Sequence, residues 1–121
     1  MEKPHKKLRS WKLGMDIAID VYQATTQFPP EERFGVVSQM RRASGSIPSN
    51  IAEGAARNSK KEFLNFLYIC RGSLSELDTQ LELSKRLDFV SEKTWKRLND
   101  KLTEEDKILS GLIKSQKEVC Q

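Results

Sequence analysis

The sequence has 121 residues, of which 37% are hydrophobic and 31% charged, and its formal net charge is +4. A chain of this length forms one domain and buries enough surface to fold without a disulfide or a structural metal. It has no apolar run near the roughly 18 residues of a membrane span, and its basic N-terminus lacks the apolar core of a signal peptide. We expect a single domain over residues 1–121 with no membrane segment, in which residues 1–9 form a flexible basic tail.

The first predicted helix runs from about residue 10 to residue 27. Ser10 is its expected N-cap, because a serine hydroxyl accepts a backbone N–H that has no partner inside the helix. Its apolar stripe, spaced by four and three residues, comprises Trp11, Met15, Ala18, Tyr22 and Thr25. The helix ends at Phe28, since a residue before proline is driven out of the α region.

The second predicted helix begins near Glu31 and contains a proline. Its stripe keeps the same spacing across Pro48 and comprises Val37, Met40, Ser44, Ile47, Ile51 and Gly54. The unbroken phase favours one helix to about Arg57, kinked near Pro48, where a backbone hydrogen bond is lost. The alternative is a full break around Gly45–Ser46.

The third predicted helix has the clearest start, because Ser59 and Glu62 form a capping box. Its heptad stripe comprises Phe63, Leu67, Cys70, Leu74, Leu77 and Leu81, with Ser84 and Leu87 as weaker extensions. Ser91 is the expected N-cap of the fourth helix, whose apolar face comprises Trp95, Leu98, Leu102, Leu109, Leu112 and Ile113. Four such helices with short connections predict an all-α, antiparallel, up-and-down four-helix bundle.

The residue types that catalysis needs are scarce. His5 is the one histidine and lies in the predicted tail, which disfavours a di-metal carboxylate site, a zinc site and a histidine-dependent nucleophile. Cys70 and Cys120 are expected to be reduced thiols of a cytoplasmic protein. The consecutive acidic residues 104–106 are expected to face solvent. We therefore expect no enzymatic activity and no cofactor.

The surplus of positive charge lies in one segment and around the N-terminal tail. Residues 33–61 contain six basic residues and one acidic residue, a surplus of five. A candidate phosphate-binding patch comprises Arg41, Arg42, Arg57, Lys60 and Lys61. The alternative is a solvated face on which Glu53 pairs with Arg57.

The third helix has an uncharged row opposite its apolar stripe. This row comprises Tyr68, Gly72, Ser75 and Thr79. Its small residues would let another helix approach closely, so they are candidate oligomer contacts. The alternative, equally weighted, is a neutral face in solvent.

The segment from Gln39 to Gly54, QMRRASGSIPSNIAEG, resembles the central signature of the 23S rRNA intervening-sequence protein family, also called four-helix-bundle proteins. Trp11-Lys12, Phe28-Pro29 and residues 71–73 agree with the family on either side, so the resemblance covers nearly the whole chain. Gly45 departs from it, because the family commonly has an apolar residue there.

This resemblance implies a four-helix bundle that assembles into a ring, with a pentamer expected. Relatives include the accessory variability determinant proteins of diversity-generating retroelements, which are basic rings that engage a reverse transcriptase and nucleic acid. Arg41, Arg42 and Arg57 match basic positions of the signature, and no catalytic residue is carried over. Two hypotheses follow: an oligomer that binds structured RNA or DNA through its basic surface, or a scaffold for a protein partner such as a reverse transcriptase.

Overall fold

The structure is a computed structural model that describes residues 3–120, with side chains through Glu118. Its four α-helices are α1 (Arg9–Thr25), α2 (Val36–Ala55), α3 (Lys60–Arg86) and α4 (Glu92–Cys120). Two 3-10 turns, Pro4–Lys7 and Pro30–Glu32, precede α1 and α2. The described residues form no strand, which confirms the all-α prediction.

The helices form a square bundle. α1 packs on α2 and α4, and α3 packs on the same two helices. Within the described residues, α1 does not contact α3 and α2 does not contact α4, so each of these pairs occupies diagonal corners. The connections are short, and successive helices therefore run antiparallel.

The predicted stripes of α2 and α3 form the core. All six stripe residues of α2 are buried. On α3 the stripe from Leu67 to Ser84 is buried and Phe63 packs beside it, whereas Leu87 is exposed. Leu87 is exposed because it caps the C-terminus, after which Asp88 takes a left-handed φ of 61° and reverses the chain.

The predicted stripe of α1 is largely wrong, although Thr25 is buried and Trp11 packs against the core. The buried face comprises Ser10, Gly14, Ile17, Asp20, Val21 and Thr25, while Met15 and Tyr22 are exposed. Both rows share the four-and-three spacing, so periodicity alone could not choose between them. The buried row has small residues because α1 lies close to its neighbours: a Cβ on Gly14 would lie 3.1 Å from Oε2 of Glu105.

The N-terminal segment also differs from the prediction. Pro4–Lys7 forms a 3-10 turn that packs against α1 and α2, and the ring of His5 lies edge-on to Trp11 at 5.1 Å. Leu8 occupies the N-cap position of α1, so Ser10 is a buried residue of the first turn and not its cap.

The prediction that α2 continues through Pro48 is confirmed. Proline has no N–H for the carbonyl of Ser44, which is the physical basis of the expected bend. The flanking Ile47 and Ile51 are fully buried, and their packing holds the helix together across this lost hydrogen bond. Ser59 and Ser91 cap α3 and α4 as predicted, accepting the backbone N–H groups of Glu62 and Thr94.

Candidate nucleic-acid interface

Arg41 is tied to α1. Its Nε donates to Oγ1 of Thr25 at 2.9 Å and its Nη2 donates to the carbonyl of Tyr22 at 3.2 Å. The guanidinium also lies over the Tyr22 ring, 4.8 Å from its centroid. Because the carbonyls of a C-terminal helical turn lack partners and carry partial negative charge, Arg41 fastens the end of α1 to α2.

The other four predicted basic residues are exposed, but three of them lie far along the bundle from Arg41 and Arg42. Arg42 is exposed on the first half of α2, whereas Arg57 follows the C-terminus of that helix. Arg57 is fifteen positions after Arg42, which corresponds to about 22 Å at the helical rise. Lys60 and Lys61 begin α3 beside Arg57. The predicted patch is therefore divided between two places.

Arg57 has nearby partners that orient it. Its Nη2 lies 3.2 Å from a carboxylate oxygen of Glu53, as the alternative interpretation predicted. Its guanidinium also lies over the Phe66 ring at 5.0 Å. Both contacts are at the surface, so the guanidinium keeps donors free for a phosphate.

The bundle adds further cations beside Arg57, Lys60 and Lys61. Alternating helix directions bring the start of α1, the end of α2, the start of α3 and the end of α4 to one end of the molecule. Gln116 of α4 accordingly shares a groove with Arg57 and Lys60. We call this region the basic end, and its exposed cations are Lys3, Lys6, Lys7, Arg57, Lys60, Lys61, Lys114 and Lys117.

Sequence reasoning missed five members of the basic end. Lys3, Lys6 and Lys7 had been assigned to a flexible tail, and Lys114 and Lys117 belong to a segment with no net positive charge. The available signal was the predicted up-and-down topology, which already places the two chain termini at the same end. Combining that topology with the position of each lysine would have located the whole cluster.

At the opposite end of the bundle, several cationic side chains form ion pairs within the chain. Ion pairs there join Lys85 to Glu92, Arg86 to Glu82, and Lys96 to Asp100, at 3.7, 3.0 and 3.3 Å. By contrast, the lysines of the basic end make no ion pair within the described part of the chain. Within the described residues the lysines of the basic end thus remain unpaired, whereas several cations of the opposite end are neutralised within the chain.

In the predicted oligomer-contact row, Gly72, Ser75 and Thr79 are exposed and Tyr68 is half-buried. Gly72 is exposed, and a Cβ placed there would meet nothing within 4 Å. Thr79 is exposed and donates to the carbonyl of Ser75. Ser75 lines a groove between α3 and α4, while Tyr68 is half-buried beneath Arg71.

Two buried acids lie between α1 and α4. Asp20 accepts from Nη2 and Nε of Arg97 at 2.7 and 3.0 Å and from Nζ of Lys101 at 3.1 Å. Hydrogen bonding from Arg97 lowers the pKa of Asp20, although burial opposes this effect. Asp20 therefore remains ionised and joins the two helices.

Glu105 corrects the prediction that residues 104–106 face solvent. Its side chain is fully buried, and neither carboxylate oxygen has a hydrogen-bond partner in the described structure. Desolvation raises its pKa to about 8, with a further contribution from Glu104. Burial also raises the pKa of the nearby Cys70 thiol to about 12, and Glu105 adds to that shift.

The described residues contain neither a candidate metal site nor a candidate membrane-spanning helix. Their acidic, cysteine and histidine side chains form no group of three that could hold a metal ion. None of their helices combines the length and apolar character needed to cross a membrane. The side chain of Cys120 lies outside the described part, so its predicted free thiol stays a prediction.

Comparison with known proteins identifies relatives of this chain. No curated protein matches it. A crystal structure at 1.70 Å of a protein of unknown function from the S23 ribosomal protein family of Bacteroides thetaiotaomicron is similar, with a TM-score of 0.80 and 25% identity. The similarity covers 87% of this chain and 95% of that one. The family model of the 23S rRNA-intervening sequence protein matches residues 6–111, and the chain belongs to this family.

Proposed function

We propose that this protein is a non-enzymatic homo-oligomer that binds structured RNA or DNA through the phosphate backbone. The observation that supports this most directly is the basic end, where cations from both termini and from the α2–α3 connection lie on exposed surface. Lysine and arginine that neutralise phosphates release condensed counterions, and this release drives binding with little regard to sequence.

The composition of the basic end favours phosphates over bases as the contacted groups. Lysines, which act as point charges, outnumber the single arginine there. Phe66 lies beneath Arg57, and Phe63 packs against the core, so neither ring provides an open platform for base stacking.

Oligomerisation would multiply a modest charge. One chain carries a net +4, whereas several copies present several basic ends to one polyanion and bind it with an effective local concentration. The pentamer remains part of this proposal and comes from the family resemblance. The predicted cytoplasmic location likewise stays a prediction.

The test compares two variants with the same change in net charge. One replaces Lys6, Lys7, Lys60 and Lys61 by Ala; the control replaces Arg33, Arg86, Lys93 and Lys107, which lie outside the basic end. We expect the first variant to lose at least tenfold affinity for a structured RNA. The slope of log K against log salt should decrease by about 3.

The control variant should bind as the wild type does, and circular dichroism should show that both variants keep their helices. Equal affinity losses in the two variants would indicate a non-localised charge effect and contradict a site at the basic end. Arg41 is left out of the test because its removal would also release α1 from α2.

The second hypothesis is a scaffold for a protein partner such as a reverse transcriptase. Exposed apolar side chains on α1 and α3, including Ile19 and Ile69, favour some protein contact. This hypothesis predicts negligible RNA affinity in the wild type and loss of partner binding when those side chains are changed.

A further inference from the structure

α1 has a second apolar stripe on its outer face. Its members follow the three-and-four spacing of a heptad and comprise Lys12, Met15, Ile19 and Tyr22. Met15, Ile19 and Tyr22 are 38%, 52% and 49% exposed. The bundle core already uses the opposite face of α1, so within the described chain the α1 outer stripe packs against no other helix, apart from the Arg41 guanidinium that lies over the Tyr22 ring.

α3 also has a second stripe with the same spacing. It comprises Asn65, Ile69, Gly72, Glu76, Thr79 and Leu83. Ile69 and Leu83 are 52% and 49% exposed and lie two heptads apart on this α3 outer stripe. Gly72 leaves open space between them, where another helix could approach.

The two stripes occupy opposite corners of the bundle. α1 and α3 are diagonal and do not touch, so their outer faces point away from each other. Each chain therefore presents two different helical surfaces in two directions. Two different surfaces that fit each other produce head-to-tail association, whereas one self-complementary surface stops at a dimer.

We propose that the α1 outer stripe of one copy packs against the α3 outer stripe of the next copy. This inference rests on the proposed oligomer and specifies its interface. Within one chain α1 and α3 run in the same direction, since one antiparallel helix separates them. Copies related by rotation about an axis along the helices would therefore pair α1 with α3 in parallel.

Charge and spacing agree with this pairing. Aligning Lys12 with Glu76 places opposite charges together, and neither forms an ion pair within the described residues. Because both stripes then advance by three and four, the same alignment places Met15 opposite Thr79 and Ile19 opposite Leu83.

Self-pairing of the α3 outer stripe fits less well. An antiparallel α3–α3 contact that pairs Ile69 with Leu83 is centred on Glu76 and would bring the Glu76 side chains of the two copies together, and like charges at an interface oppose association. The α1 outer stripe provides Lys12 where the α3 outer stripe has Glu76. This complementarity favours the head-to-tail contact over two-fold pairing.

The test uses two variants that each lose one surface. Ile19→Lys places a charge on the α1 outer stripe, and Leu83→Lys places one on the α3 outer stripe. Both side chains are half-exposed, so we expect the monomer fold to persist, as circular dichroism would check. Light scattering should then give the single-chain mass of 13.9 kDa for each variant alone.

The mixture of the two variants provides the decisive measurement. Ile19→Lys retains an intact α3 outer stripe and Leu83→Lys retains an intact α1 outer stripe, so one head-to-tail contact can form. The mixture should have twice the single-chain mass and grow no further. Phe34→Lys, which changes an 88% exposed residue in the α1–α2 connection, is the control and should keep the wild-type mass.

A second pair of variants checks the alignment. Lys12→Glu and Glu76→Lys should each lower the oligomer fraction at least severalfold, and the double exchange should restore it. If either lysine variant unfolds, Met15→Lys replaces it on the α1 outer stripe or Thr79→Lys replaces it on the α3 outer stripe.

Other outcomes would overturn the proposal in distinguishable ways. A monomeric wild type would contradict the oligomer itself. A wild-type oligomer that persists in both lysine variants would reject this interface but leave the oligomer intact. A dimer formed by Leu83→Lys alone would show two-fold pairing through another surface. RNA affinity is tested separately with the variants of the basic end. Whether the protein binds RNA therefore does not affect the interpretation of these mass measurements.

Discussion

The interface between α1 and α4 contains two buried carboxylates with opposite environments. Asp20 lies opposite Arg97 and Lys101 and keeps a low pKa, whereas Glu105 lies opposite Gly14 and has a pKa raised to about 8. Both side chains are removed from water, so burial alone does not determine the charge. The partners available on the facing helix decide whether the buried acid stays ionised.

The largest expected effect comes from Glu105→Gln. Below an ordinary glutamate pKa near 4.5, the carboxyl is neutral in both folded and unfolded chains. Between that value and about 8 the unfolded chain ionises while the folded chain stays protonated, so stability falls as pH rises. The loss should amount to a few kcal/mol and level off above pH 8.

Urea unfolding from pH 5 to pH 9 would measure this effect. Glu105→Gln should lack this fall in stability and exceed the wild type at pH 8. The matched control is Asp106→Asn, which changes an exposed carboxylate next to Glu105 and should retain the wild-type slope. Gly14 of α1 faces Glu105, Ile47 and Pro48 of α2 lie beside the same glycine, and Cys70 of α3 is near enough for Glu105 to raise its pKa. An identical slope in wild type and Glu105→Gln would contradict a raised pKa.

Asp20→Asn should have the next largest effect, a loss of about 2 kcal/mol at neutral pH, since hydrogen bonds to charged groups contribute roughly that much. The side chains of Arg97 and Lys101 remain partly exposed, so they can be solvated once the carboxylate is gone. The stabilisation by Asp20 is present above its ordinary pKa of 3.8 and is lost as pH falls through its lower folded pKa.

Asp16→Asn is the matched control for Asp20→Asn, because Asp16 lies one turn earlier on α1 and is exposed. Its free energy of unfolding should change by less than about 0.5 kcal/mol. Thermal and urea unfolding would separate the two variants, and equal losses would mean that the contacts with Arg97 and Lys101 do not stabilise the bundle.

The two acids also show what could be predicted from the sequence. The stripe of α2 was correct because that helix has one apolar row, and the stripe of α3 was correct because its second row is mostly polar, whereas α1 has two rows of the same period with apolar members. Glu105 was placed in solvent because of its acidic neighbours, although it stands three residues after Leu102 and four before Leu109. This spacing places Glu105 on the buried face of α4, and it was the signal that the sequence analysis missed.

Other features required the assembled bundle. Asp20 and Arg97 lie 77 residues apart, and nothing local in the sequence joins them. The basic end likewise depends on which helix ends come together, so counting charge by segment found only Arg57, Lys60 and Lys61.

A smaller effect should come from filling the space beside Glu105. In Gly14→Ala the new Cβ would lie 3.1 Å from Oε2 of Glu105 and 3.3 Å from Cγ2 of Ile47. Overpacking costs about 1–3 kcal/mol, whereas replacing a helical glycine by alanine contributes up to about 1 kcal/mol. We expect a net loss near 1 kcal/mol.

Gly45→Ala is the control for Gly14→Ala, since a Cβ at Gly45 meets nothing within 4 Å. It should stabilise the protein by up to about 1 kcal/mol through helix propensity alone. Chemical unfolding of both variants would give opposite signs. A stabilising Gly14→Ala would show that the Glu105 side chain moves away at little cost.

The smallest effect is expected from Ser10→Ala. This substitution tests whether water is bound in the part of the α1–α4 interface that contains Glu105. The hydroxyl of Ser10 is buried and has no hydrogen-bond partner within the described residues. Removing an unpaired buried hydroxyl should be neutral or stabilise by less than about 1 kcal/mol. A bound water joining it to another buried oxygen would reverse the sign, because the substitution would then break a hydrogen bond. Urea unfolding of Ser10→Ala, Glu105→Gln and the double variant would distinguish these cases. If the changes in the free energy of unfolding add, the two buried groups are independent and neither is hydrated. If they do not add, a shared water links Ser10 to Glu105.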